Sequence, residues 1–221
     1  MSSTRKRYEP WLRDHARPRF PELVPAVLAA IKAFDTIRQK RRASPELLAP
    51  IVTAASSPRV PLFDTGTTFL SELTRRFAEA RDEVAAMADH PRSHVRFNAI
   101  LCLSESTPLP LKFQVVRRAL QDKSASVREK AADMAGLLRL REVVPDLEAA
   151  AVRERNTKVK ETIEFELKLL QDGYILEPDS DGGFHVTTHQ RDGGTAGRWV
   201  SRSELKRRGV NAIVAELTKD E

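Results

Sequence analysis

Two histidine pairs have the spacing that puts two imidazoles on one helical face: His90 with His94, and His185 with His189. Such a pair supplies half of a zinc site, which needs at least a third protein ligand. Neither pair has a third ligand or a catalytic Glu beside it, and His90 and His94 straddle Pro91. Surface histidines are therefore the expectation, with no metal site. On a strand, His185, Thr187 and His189 would share one face. Cys102 is the single cysteine, which excludes an internal disulfide and a Cys-based zinc finger. It lies in an apolar stretch and reads as a small buried hydrophobe. Asp181-Gly182-Gly183 and Asp192-Gly193-Gly194 fit hairpin turns better than a phosphate-cradling loop. No Gly-x-Ser-x-Gly elbow or Cys/His nucleophile arrangement is present, and Asp82-Glu83 reads as helix surface. No catalytic residue and no cofactor is assigned. The sequence favours binding over catalysis without closing the question.

The chemistry that remains is positive charge. The chain carries 37 Lys/Arg against 31 Asp/Glu, a net of +6, and residues 1–42 alone hold 11 against 4. The N-terminal cluster comprises Arg5, Lys6, Arg7, Arg13, Arg17 and Arg19. A second cluster comprises Arg191, Arg198, Arg202, Lys206, Arg207 and Arg208. Arg38, Lys40, Arg41 and Arg42 close a predicted helix, where cations complement the helix dipole. The binding residues assigned on these grounds are Lys112, Arg117 and Arg118, read as exposed on one helix, and Arg202, Lys206 and Arg207 near the end of the chain. Phosphates or an acidic protein surface would both fit such groups.

Helices must position them. Ala and Leu dominate and aromatics make up only 6% of the chain, which favours helix over sheet. Leu23, Val24, Val27, Leu28, Ile31 and Phe34 recur at helical spacing. Ser44-Pro45-Glu46 is an N-cap followed by Pro at the first helical position. Pro58 and Pro61 mark 56–66 as a loop, and the apolar spacing predicts one long helix over 67–88. Asn156 or Thr157 caps a last long helix that Gly173 stops. Beyond it, 174–176, 184–188 and 198–200 read as short strands, and Ser201-x-x-Glu204 as the capping box of a closing helix.

A 32-residue echo runs through the middle of the chain. Val95-Arg96, Val127-Arg128 and Val159-Lys160 recur at that spacing, followed by Ala99, Ala131 and Ile163, then Leu103, Ala135 and Leu167. Helix-length apolar stripes at one period predict stacked helical repeats. The pattern Asp122-x-x-x-x-Val127-Arg128-x-x-Ala131 followed by Val143-Val144-Pro145-x-Leu147 resembles the short HEAT-like repeat of the phycobilisome-lyase type, over about residues 89–171. The resemblance implies that Arg96, Arg128 and Lys160 are structural, pairing with the Asp of the preceding turn or a neighbouring repeat, and Asp89 and Asp122 stand where such partners would be. That resemblance implies a fold more than a function, since the family includes adaptors, regulators, lyases and DNA-repair relatives.

The predicted fold is mainly α: an α-solenoid of HEAT-like helix pairs with a small C-terminal α+β cap. Its parts are a basic, loosely ordered segment (1–20), a HEAT-like helical domain (21–172) and a capping module (173–221), whose sheet leans on the last repeat helix. The functional expectation is a non-enzymatic scaffold or adaptor that binds a protein. The alternative is nucleic-acid binding, related to HEAT-like alkylation-repair DNA glycosylases. The cations at 112, 117 and 118 do not recur 32 residues on, where Val144, Ala149 and Ala150 stand, which weakens a phosphate track. No apolar run is long enough for a membrane span, and Met1 to Arg7 lacks the apolar region of a secretory signal, so a cytoplasmic protein is expected.

Overall fold

The computed structural model describes residues 3–190 and 194–219. The chain is mainly helical, with one three-stranded antiparallel sheet near its C-terminus, and divides into two compact units, residues 1–119 and 120–221. Among the described residues no helix is long and apolar enough to cross a membrane.

In the first unit, α1 (Ser3–Trp11) continues through a π-helical turn (Leu12–Ala16) into α2 (Arg17–Arg19). A 3-10 turn at Pro21–Leu23 leads into α3 (Val24–Lys40), followed by α4 (Pro45–Ala55), α5 (Val60–Thr74), α6 (Ala78–Ala88), α7 (Ser93–Leu101) and α8 (Leu109–Ala119). The basic N-terminal stretch is thus helical from residue 3 to residue 19. It is anchored by Leu12, which is fully buried, and by Tyr8, whose ring meets Phe69 edge-on at 5.6 Å. Phe69 in turn stacks on Phe34 of α3 at 4.3 Å. The Ser44 hydroxyl caps α4 by accepting the amide of Leu47.

The stretch predicted as one helix over 67–88 is two. Helix α5 already starts at Val60, because Pro61 occupies the first turn, where its missing N–H has no partner to lose. It ends at Thr74, and Phe77 is extended. The break separates two apolar stripes with different main neighbours: α5 packs chiefly on α3 and α4 and also meets α7, whereas α6 packs chiefly on α7 and α8.

The approach of α5 to α4 depends on Gly66. A β-carbon there would overlap the backbone of Ala55 and lie 2.7 Å from the carbonyl carbon of Ala54. A second tie comes from Asn98 of α7, whose buried amide donates to the carbonyls of Ala55 (2.8 Å) and Ser57 (3.0 Å), completing the C-terminal end of α4.

The second unit contains α9 (Ala125–Leu137), a 3-10 turn (Arg141–Val143), α10 (Val144–Arg153) and α11 (Thr157–Asp172). The Asn156 side chain caps α11, and Gly173 ends it in a left-handed conformation. Helices α9 and α10 both pack on α11. Val127, Ala131, Ala135, Val159 and Ile163 are buried here, as Val95, Ala99 and Leu103 are in the first unit, while Leu167 is half-buried. The echo lapses at its edge: Leu120 is buried, but Val152, 32 residues on, is 88% exposed.

After α11 come β1 (Ile175–Pro178), β2 (Phe184–His189) and β3 (Thr195–Val200), then α12 (Arg202–Arg208) and α13 (Val210–Leu217). The sheet order is β1-β2-β3, with Val186 opposite both Leu176 and Arg198. The module has its own small core of Val186, Val200 and Ile213, flanked by Leu176, Leu205 and Val214. It joins the helices through polar contacts as well: Thr188 donates to the Gly173 carbonyl at 2.7 Å, and His189 meets Glu166 of α11 at 3.2 Å with both side chains buried. The Ser201 hydroxyl caps α12 by accepting the Glu204 amide. The predicted turn at 192–194 lies partly outside the described residues.

Gly66→Ala should lower stability by about 1–3 kcal/mol through overpacking. The intrinsic helix preference for Ala, about 1 kcal/mol, acts in the opposite direction. Urea denaturation of the full chain reads the net effect, and a variant as stable as the parent would show that α4 and α5 separate freely.

Candidate binding sites

The structure distributes the predicted binding residues unevenly. In the first unit, Lys112 was expected on an exposed face of α8, but it is 5% exposed. Its ammonium turns back to donate to the carbonyl of Glu105 at 2.8 Å, finishing the turn before α8, and burial pushes its pKa down. The exposed reading is corrected: the long aliphatic stem lies in the protein and only its tip has a polar task. Arg117 is exposed with its guanidinium over the Phe113 ring at 5.5 Å. Arg118 is exposed and bonds Asp89 at 2.7 Å.

In the second unit, α12 presents Lys206 and Arg207 to solvent, and Arg202 donates to the Gly182 carbonyl at 2.9 Å while standing over Phe184. Two neighbours in the same cluster are consumed structurally. Arg198 of β3 and Arg208 of α12 share Glu204 and Glu216, at 2.6 to 3.5 Å, which ties strand and both helices together. Those arginines hold both carboxyls below the usual glutamate range. Arg191 lies outside the described residues. The N-terminal cations are partly engaged too: Arg5 and Arg17 approach Glu9, and Arg13 bonds Asp14.

The histidines do not assemble a metal centre: among the described residues no three His, Cys, Asp or Glu side chains converge. His90 accepts the Arg92 amide through Nδ1. His189 is committed to Glu166, while His185 on the same strand is exposed. The Cys102 thiol is buried, and burial pushes its pKa up, away from the thiolate that nucleophilic chemistry requires.

The arginines of the 32-residue echo bond the turns that precede their own helices. Arg96 donates to the carbonyls of His90 and Pro91 at 2.8 and 2.9 Å. Arg128 donates to the Asp122 carbonyl at 2.7 Å and grips Glu154 in a two-pronged bond at 2.6 and 2.9 Å. The Asp122 carboxylate accepts the Ser124 amide, and Lys160 is exposed near Glu164. Glu154 also accepts the amides of Arg155 and Asn156. Arg128 first, then these amides, bring its carboxyl from 4.5 to about 2 against the opposing effect of burial.

Sequence reasoning missed a second set of cations. Arg38, Arg41, Arg75 and Arg76 line a cavity of about 540 Å³ in the first unit, together with Glu72, Leu73 and Phe77. Arg38 and Arg41 read as a helix ending, and Arg75-Arg76 falls inside what the sequence presents as one continuous helix. The break at residues 75–77 was the missing signal. Comparison with protein families, curated proteins and solved structures finds no match to this chain.

A pH dependence follows from Glu154. Its carboxyl is lowered on folding, so its stabilisation is complete above about pH 4.5 and is lost as pH falls toward 2. The side chain is only 3% exposed, but its cover is thin, beside an open groove. With solvent screening the contribution is on the order of 1–3 kcal/mol. Glu154→Gln should therefore cost stability near neutral pH and progressively less in acid. A constant difference in urea midpoint from neutral pH down to about pH 3 would show that Glu154 is not the titrating group.

Proposed function

We propose that this chain is a non-enzymatic binding scaffold, a HEAT-like α-solenoid of helix pairs with a C-terminal α+β cap, working in the cytoplasm and holding a protein partner on its exposed surface. The observation that supports this best is in the C-terminal module. Trp199 of β3 is 44% exposed, and α12, which follows directly, carries Lys206 and Arg207 on the surface. Surface Trp and Arg are the residue types of interface hot spots, where a few such side chains supply most of the binding energy. The fitting partner surface is acidic with an apolar pocket.

The ionisable groups support binding over turnover. The strongly lowered acid, Glu154, is held by Arg128 and backbone amides, and the raised acid, Asp133, owes its shift first to burial. Neither faces a nucleophile. Nucleic-acid binding draws less support, because Arg118 and several N-terminal arginines already have carboxylate partners.

Affinity purification of the tagged full chain, with and without nuclease, should recover the same protein partner in both arms. Trp199→Ala combined with Arg207→Glu should weaken that complex by about tenfold or more while leaving the circular dichroism spectrum unchanged. Loss of every partner on nuclease treatment, or binding that falls steeply with salt on bare oligonucleotides, would overturn the protein-binding reading in favour of nucleic acid.

A further inference from the structure

Four arginines converge on one cleft of the first unit, and most of their charge is uncompensated. Arg38 and Arg41 come from the C-terminal end of α3, Arg75 and Arg76 from the residues that follow α5, and the half-buried Phe77 ring, with buried Leu73 beneath the lining, gives an apolar side. The cavity, about 540 Å³, falls in the range of about 300–1,000 Å³ typical of small-molecule sites. Its one carboxylate, Glu72, stands 3.8 Å from Arg38 with both side chains more than half exposed, a weak pair in water. The Arg38 guanidinium also lies over the Phe34 ring. The guanidinium groups of Arg41, Arg75 and Arg76 have no hydrogen-bond or ion-pair partner among the described residues.

The charge balance points to a ligand. Four guanidinium groups less one carboxylate leave +3 in the cleft. A helix C-terminus carries roughly half a negative charge, so the ends of α3 and α5 together offset about one of these. About two positive charges remain. A phosphate monoester carries about −1.5 to −2 at neutral pH, and guanidinium forks match its oxygens in two-pronged hydrogen bonds. A bare inorganic anion would leave the half-buried Phe77 ring in contact with water, whereas an organic body would cover it.

We propose that this cleft binds an organic phosphate monoester, with the phosphate held by Arg41, Arg75 and Arg76 and an apolar or aromatic body against Phe77. The cleft shares no residue with the C-terminal surface proposed for the protein partner, so either can fail without the other.

The test titrates the full chain with phenyl phosphate, phenyl sulfate and inorganic phosphate, following the backbone amide signals of residues 75–77 by NMR. Phenyl phosphate should bind about tenfold more tightly than either other anion, since phenyl sulfate lacks the second charge and inorganic phosphate lacks the body. Its affinity should fall as pH drops below about 6, where the monoester gains a proton, while that of phenyl sulfate should hold, because arginine does not titrate there. Arg75→Glu with Arg76→Glu should weaken phenyl phosphate by about tenfold or more at unchanged melting temperature, and Arg75→Gln with Arg76→Gln should weaken it less. Phe77→Leu should narrow the gap between phenyl phosphate and inorganic phosphate. No saturable shift up to about 10 mM phenyl phosphate, equal affinity for all three anions, or binding that survives the double charge reversal would each overturn the proposal.

Discussion

An arginine placed one residue after a buried valine, reaching back to the carbonyls of the turn before its own helix, sets the geometry of both units. The valine fixes the helix face that enters the core. The arginine then determines where the preceding chain must run, because its planar donors have few ways to satisfy two carbonyl oxygens at once. Arg96 does this for α7 and Arg128 for α9. Arg128 adds a carboxylate from the turn between α10 and α11, so one side chain ties three stretches of the second unit. Where the position holds lysine, at Lys160, the point charge cannot make the fork, and the side chain stays on the surface.

The same economy explains how the protein uses its basic excess. Much of it is structural: Arg96 and Arg128 serve turns, Lys112 closes the turn before α8, and Arg198 and Arg208 hold the C-terminal module through shared glutamates. These cations are unavailable to a partner because moving them would expose unsatisfied carbonyls or carboxylates. Among the cations that the fold leaves accessible are Lys206 and Arg207 on α12, and Arg41, Arg75 and Arg76 at the ends of α3 and α5. Net charge alone therefore says little about where this protein binds, since the accessible surplus depends on which cations the fold has already engaged.

Helix chemistry was legible wherever it is local. Ser44, Asn156 and Ser201 cap the helices that their side chains announce, because a capping bond spans only three residues. The short strands and the stop at Gly173 were legible for the same reason. The break at residues 75–77 was not, since apolar periodicity runs through it and the two helices it separates have different main neighbours. Asn98 gave no sequence signal at all, although it completes a helix end 43 residues away.

By itself, the sequence determined most helices from α3 onward and that a small sheet follows the last long helix, because periodicity and capping are properties of near neighbours along the chain. It did not show that residues 3–19 and 60–66 are helical, and it did not determine which charges are exposed. Lys112 and Arg117 lie five residues apart on one helix; the first is buried and the second exposed. Arg75 and Arg76 join Arg38 and Arg41 only because α5 ends where it does and folds back beside α3. Exposure and convergence depend on residues distant in the chain, and only the tertiary structure brings those together.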